Sequence, residues 1–332
     1  MDVVPNGSTE HPSTVATVLV GRRNGGVDVV RVDRVTGALD EANVIRWKRD
    51  EKVCSAISSI HSVVVDGQMA VCTLLESGEV WFYDANMKGT IGKFTCPPNV
   101  MCAAYHPASN QLAVGCQGAE LKVYKLEKRA DESDRRTEEA DVTAVAKAAS
   151  GITGRLTYSA KGGKPDKVGI CDKPWNSAMA FNPLAEDGSQ IIVATGYGKL
   201  RLYDTTVGKR PQLNKPFKEQ RIMTVAVSGD ENVWWVGDAG GNLQSFDVTT
   251  GTFMGAIKGI AGSVRSIALH PTAKTIASGG LDRYVRIHST RTRRSVAKLY
   301  VTSQVNAVRW IGGVAVAEEK KKTSKKRKVA SS

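Results

Sequence analysis

No run of apolar residues in this chain approaches the ~18 that a membrane-spanning helix needs, and no membrane role is expected. The opening stretch, MDVVPNGSTEHPST, has neither a basic n-region nor an apolar h-region, so no secretory signal is expected there. Cys54, Cys72, Cys96, Cys102, Cys116 and Cys171 form no C-x-x-C pair, and most sit inside apolar stretches. They read as reduced, buried thiols of an intracellular protein rather than as disulfides or a zinc site. Histidine is scarce too. His11, His61, His106, His270 and His288 make no H-E-x-x-H or zinc spacing, and neither a G-x-S-x-G elbow nor a Walker loop occurs. GYGKL at 196–200 carries two glycines and a lysine but opens a strand rather than a helix, so no helix N-terminus waits there for a phosphate. Neither catalytic residues, metal nor cofactor are expected.

What the chain has in surplus is positive charge. Its formal charge is +13; the last fifteen residues hold seven basic and two acidic side chains, +5, which leaves +8 for the body. A surplus on body and tail alike suits a polyanion, nucleic acid foremost, although a merely soluble basic surface has the same composition.

The second surplus is repetition. TVLVGRRNGGVDVVRVD ends at Asp33, MAVCTLLESGEVWFYD at Asp84, QLAVGCQGAELKVYK at Lys125, IIVATGYGKLRLYD at Asp204, VWWVGDAGGNLQSFD at Asp247 and TIASGGLDRYVRIHS at Ser289. Each is an apolar strand, a glycine turn and a second alternating strand. Gaps of 41 (84 to 125), 43 (204 to 247) and 42 (247 to 289) are the period of a four-stranded propeller blade. The gap of 79 from Lys125 to Asp204 is nearly two periods and implies a seventh, degenerate unit.

Strands such as NVMCAAYHP, NSAMAFNP and SVRSIALHP precede their units and stop at proline. The first unit, from Thr14, lacks such a partner, whereas SQVNAVRWIGG after the last unit is an orphan of that type. Pairing Val305–Trp310 with the first unit would leave no open edge. The expected fold is therefore all-β: a seven-bladed WD40-type propeller over 14–311, closed by the C-terminal strand. A flexible 1–13 precedes it, a charged, aromatic-poor insertion interrupts it at about 127–150, and a disordered basic tail, 312–332, follows.

In each unit the glycine turn joins the second and third strands, which places all such turns on one rim. Arg22, Lys199 and Arg283 should therefore share a face. Arg201 and Arg286 lie inside the third strand, where two roles fit: reaching a ligand, or laying their stems across a neighbouring blade. In the tail, Lys320, Lys321, Lys322, Lys325, Lys326, Arg327 and Lys328 suit nuclear import, a grip on RNA phosphates, or simple solubility.

KGIAGSVRSIALHP, ASGGLDRYVRIH and YVTSQVNAVRW, with ATGYGKLRLYD and the run from Arg221 to Gly259, resemble the nucleolar WD-repeat factors of large (60S) ribosomal subunit assembly. The likeness is specific from about Gln190 to Trp310 and generic before about Leu126. Ahead of the next blade this chain reads KPDKVGICDKPW, which keeps only the proline and aromatic of that family's segment. The resemblance implies a non-enzymatic scaffold, monomeric within a large complex, in nucleolus and nucleus. It would dock on early pre-60S particles, touch pre-rRNA and assembly factors, and be released by an AAA-type ATPase. Matched position by position, the implied contact residues are Lys199, Arg201, Asp282, Arg283 and Arg286. Arg22 and Arg23 join them on spacing alone. Arginine forks suit phosphate oxygens, and Asp282 would orient Arg283 or cap the turn. The rival reading is a WD-repeat adaptor in another nuclear complex, of the chromatin or ubiquitin-ligase kind.

Overall fold

The computed structural model describes residues 16–24, 26–33, 55–85, 87, 89–129, 151–163, 172–217, 220–229 and 231–310, with the backbone of 2–4, 15 and 45–47. All regular structure among these residues is β-strand, in repeated four-stranded antiparallel units. The first unit is β1 (Asp2–Val4), β2 (Val15–Gly21), β3 (Val27–Asp33) and β4 (Ile45–Trp47); the second is β5 (Ile57–Val65), β6 (Gln68–Leu75), β7 (Glu79–Asp84) and β8 (Thr90–Thr95). The third is β9 (Val100–His106), β10 (Gln111–Cys116), β11 (Lys122–Lys128) and β12 (Ile152–Ser159); the fourth is β13 (Asn176–Phe181), β14 (Gln190–Thr195), β15 (Lys199–Asp204) and β16 (Leu213–Pro216). The fifth is β17 (Ile222–Val227), β18 (Val233–Asp238), β19 (Leu243–Asp247) and β20 (Phe253–Ile257), and the sixth β21 (Val264–Leu269), β22 (Thr275–Gly280), β23 (Tyr284–Ser289) and β24 (Ser295–Tyr300). This is the WD40-type β-propeller expected from the period.

The core lies between units, which is why the second strands read as continuous apolar runs. Every residue of β18, VWWVGD, is buried. Successive side chains on a strand point to opposite faces. Trp234 and Val236 therefore pack with Ile192, Ala194 and Leu202 of the fourth unit, while Val233 and Trp235 pack with Val264, Ile267 and Ile276 of the sixth. Burying one such indole contributes about 4–6 kcal/mol of transfer free energy as an upper bound. The inner strands β5, β9, β13, β17 and β21 touch in chain order. The second and third units also meet at their outer edges, where β8 and β12 pair in parallel at Gly92 and Ile152.

Two expectations are corrected. The described residues form six four-stranded units, not seven. β12 pairs with β11 and completes the third unit, so the long gap is a hairpin enlarged by residues 129–151, followed by only residues 160–175 before β13. Neither piece has the ~40 residues of a blade. Second, Val305–Trp310 does not pair with the first unit. Asp2–Val4, inside the stretch expected to be flexible, already holds the edge of β2, with Asp2 opposite Leu19 and Val4 opposite Thr17. The C-terminal segment lies instead on the sixth unit. Val305 N–H donates to the Gly280 carbonyl at 3.1 Å, Val308 N–H to Ser266 Oγ at 3.1 Å, and Trp310 Nε1–H to the Ala268 carbonyl at 2.9 Å. A Cβ at Gly279 would come within 2.4 Å of Val305 Cγ1, so only glycine leaves room for this seat. Most of the charged insertion and all of the basic tail, Lys320 to Lys328 included, fall outside the described residues.

Candidate functional site

Because the strands alternate in direction, the turns between second and third strands lie at the same end as the connections leading into each inner strand. Hydrogen bonds join the two sets: Gly118 N–H donates to the Pro174 carbonyl at 2.8 Å, and Val100 N–H to the Glu76 carbonyl at 3.2 Å. This rim carries the residues singled out above.

The turn itself requires a left-handed residue just before or near the third strand. Gly78, Gly118, Gly198 and Gly241 supply it with φ of 93°, 98°, 71° and 90°. In the sixth unit Arg283 does, with φ of 62°. Arg283 immediately precedes β23 as Gly198 precedes β15, so Lys199 corresponds to Tyr284, and Arg283 stands in the turn rather than after it. A side chain held in this region costs on the order of 1–2 kcal/mol. Its carbonyl accepts from Val301 N–H at 2.7 Å, and its side chain is exposed, with no acidic partner among the described residues.

The other expected contact residues divide sharply. Arg201 is spent inside the fold: its side chain is 3% exposed and it faces Asp172 Oδ2 at 3.4 Å and Glu120 Oε2 at 3.8 Å. Lys199 Nζ meets the same Asp172 oxygen at 2.5 Å. Two cations thus face two carboxylates, and the cluster is neutral. Burial pushes the Glu120 carboxyl above its ordinary range, against the pull of Arg201. Arg286, also buried, pairs with Asp282 Oδ2 at 2.6 Å and lies over the Tyr284 ring at 5.0 Å. Asp282 caps the turn by accepting from Tyr284 N–H at 3.2 Å, but the arginine it holds is Arg286, not Arg283. Of the two roles left open for Arg201 and Arg286, packing between and within blades is the observed one. Arg22 is half-exposed and pairs with Asp28 at 2.5 Å, while Arg23 is exposed and has no acidic partner among the described residues.

Reasoning from the turns alone missed the connections into the inner strands. Lys173 and Lys258 are exposed there, as is Arg265 at the second position of β21. Arg221, half-buried directly before β17, lies over the Trp175 ring at 5.3 Å. None of these four has an acidic partner among the described residues. The signal was a basic residue at or just before the start of an inner strand, as in QRIMTV and SVRSIAL. Among the same residues, no group of three or more His, Cys, Asp or Glu side chains could hold a metal ion. Cys72, Cys96, Cys102 and Cys116 are free thiols, and burial pushes the Cys116 thiol up to about 11 and Cys96 to about 12.

Residues 251–289, from the turn before β20 to the end of β23, match the WD domain, G-beta repeat family. The chain is 33% identical to WD repeat-containing protein 74 of Bos taurus over 153 residues, 46% of this chain and 39% of that protein. It is 24% identical to Ribosome biogenesis protein NSA1 of Yarrowia lipolytica over 180 residues, 48% and 44% of the two chains. Over 148 residues it is 30% identical to Eukaryotic translation initiation factor 3 subunit I of Homo sapiens, 40% and 43% of the two. Each match spans less than half the length of the relative. The matched repeat and the four-stranded units together give the described residues a WD40-type β-propeller fold.

Proposed function

We propose that the chain is a non-catalytic scaffold of large ribosomal subunit assembly, docking on early nucleolar pre-60S particles and contacting pre-rRNA and assembly factors. The observation that carries this reading is a rim with six cations, Arg23, Lys173, Arg221, Lys258, Arg265 and Arg283, that no carboxylate neutralises among the described residues. The likeness to a protein named for ribosome biogenesis supports it. Nucleolar residence, monomeric incorporation and release by an AAA-type ATPase belong to the same proposal. A rim of unpaired cations serves phosphate contacts because each one releases condensed counterions.

The test is gradient sedimentation of the tagged chain with pre-ribosomal RNA, at salt between about 50 and 200 mM. Co-sedimentation that fades steeply with salt supports the reading. The second reading, an adaptor in another complex, has support in the 30% identity to an initiation-factor subunit over 148 residues. It predicts association that survives ribonuclease and contains no pre-rRNA.

A further inference from the structure

Around Trp175, cations and aromatics of this rim are built into a single structure. Trp175 ends the connection into β13, Tyr197 lies in the β14–β15 turn, Arg221 opens β17, and Arg265 is the second residue of β21, the next inner strand. Three successive units therefore converge at the inner side of one rim.

Trp175 is fixed before any ligand arrives. Its carbonyl accepts from Gly196 N–H at 2.9 Å, and its backbone bridges to Gln117. Its ring lies so close to Gly196 that a Cβ there would come within 2.1 Å of it. The Arg221 guanidinium lies over the ring, and Tyr197 meets it edge-on at 5.3 Å while remaining 42% exposed.

The charges in this cluster are unbalanced. Arg221 Nε is buried without a hydrogen-bond partner, and neither Arg221 nor Arg265 has a carboxylate partner among the described residues. Burial first, and the like charge of Arg265 second, weaken the hold of Arg221 on its proton. Two guanidiniums in mutual repulsion, one with an orphaned N–H, are an arrangement that an anion relieves. The exposed ring of Tyr197 beside them offers a π-face, which a phosphate alone would not use.

We infer that Trp175, Tyr197, Arg221 and Arg265 form a binding site for single-stranded RNA, in which the two arginines clamp a backbone phosphate and an unstacked base lies on Tyr197. This rests on the reading that this rim meets RNA. A paired duplex has no free base to offer, so single strands should be preferred. An acidic peptide would satisfy the arginines but leave the tyrosine face idle.

The experiment is fluorescence anisotropy with a labelled single-stranded oligouridine, a duplex of the same length, and polyglutamate as competitor, using the full chain. Tyr197→Ala should weaken oligouridine binding about tenfold or more, while Tyr197→Phe keeps it. Arg265→Gln should reduce the salt slope by about one unit, and Arg291→Gln, in the β23–β24 turn on the opposite rim, should change nothing. Each variant's melting curve separates loss of the site from loss of the fold. Equal affinity for duplex, stronger competition by polyglutamate than by RNA, or unchanged binding by both Tyr197→Ala and Arg265→Gln overturns the site. In the last case RNA binding lost on reversing Arg23 and Arg283 would leave the wider reading standing. If the unaltered chain binds no RNA, both fall.

Discussion

Asp282 and Arg286 form an ion pair at 2.6 Å between side chains only 11% and 6% exposed, four residues apart across the turn and strand that open the sixth unit's third strand. Removing one partner leaves a buried charge without compensation, which costs about 3–5 kcal/mol. Asp282→Ala should therefore lower stability by that order in urea titration. Asp282→Asn combined with Arg286→Met should recover much of it, because the pair's net contribution is small while an orphaned charge is costly. A single Asp282→Ala variant as stable as the parent would mean that water reaches Arg286.

This pair also marks how far the sequence could be read. The blade period was legible because four successive units turn from second to third strand through a left-handed glycine, Gly78, Gly118, Gly198 and Gly241. The unit count was not, because an enlarged β11–β12 hairpin occupies the same length of chain as a degenerate blade. Closure was misread because a three-residue strand, Asp2–Val4, carries too little periodicity to compete with Val305–Trp310. Among site residues, an arginine in a strand looks the same whether it is free or paired. Arg201 is neutralised by Asp172 and Glu120, from an earlier connection and an earlier turn, and no local pattern links them. The juxtaposition of Trp175, Tyr197 and Arg221 is likewise a product of the fold.

Arg283 ties stability to binding. Glycine adopts a φ of 62° without the Cβ penalty. Arg283→Gly should stabilise the chain by about 1 kcal/mol yet weaken pre-ribosomal association. Arg23→Glu and Arg283→Glu together should stay within about ±0.5 kcal/mol of the parent while releasing the protein from particles at moderate salt. Lys199→Glu is a poorer probe, because it would set a third carboxylate beside Asp172 and Glu120. Full particle binding by the Arg23/Arg283 double variant would move the docking face elsewhere.

His288 predicts an acid limb. Burial, and then the neighbouring Arg286 charge, hold its imidazole below its ordinary value near 6.5. His106 is lowered as well, by burial against the opposing pull of Asp187. A depressed folded-state value means that the unfolded chain binds more protons below pH 6.5, so stability rises with pH there. The stabilisation is present above about 6.5 and is lost as pH falls toward the folded-state values. Melting temperature should drop between about pH 7 and pH 5, and His288→Gln should flatten part of that drop. An unchanged slope in the variant would assign the limb to other groups.

Ending the chain at Thr302 removes three hydrogen bonds to the sixth unit and the contact of Trp310 with His270, whose ring centroids lie 4.8 Å apart. It also uncovers the hollow at Gly279 into which Val305 and Val308 pack. The loss should be several kcal/mol, about 2–4 by the usual scale of core deletions, and should appear as an earlier melt. Its location decides between two closures. With the segment seated on β21 and β22, amide exchange should accelerate in those strands, while β2, held by β1, keeps its protection. If β2 were instead the strand that opened, Val305–Trp310 would belong to the first unit after all, and Asp2–Val4 would not be what completes it.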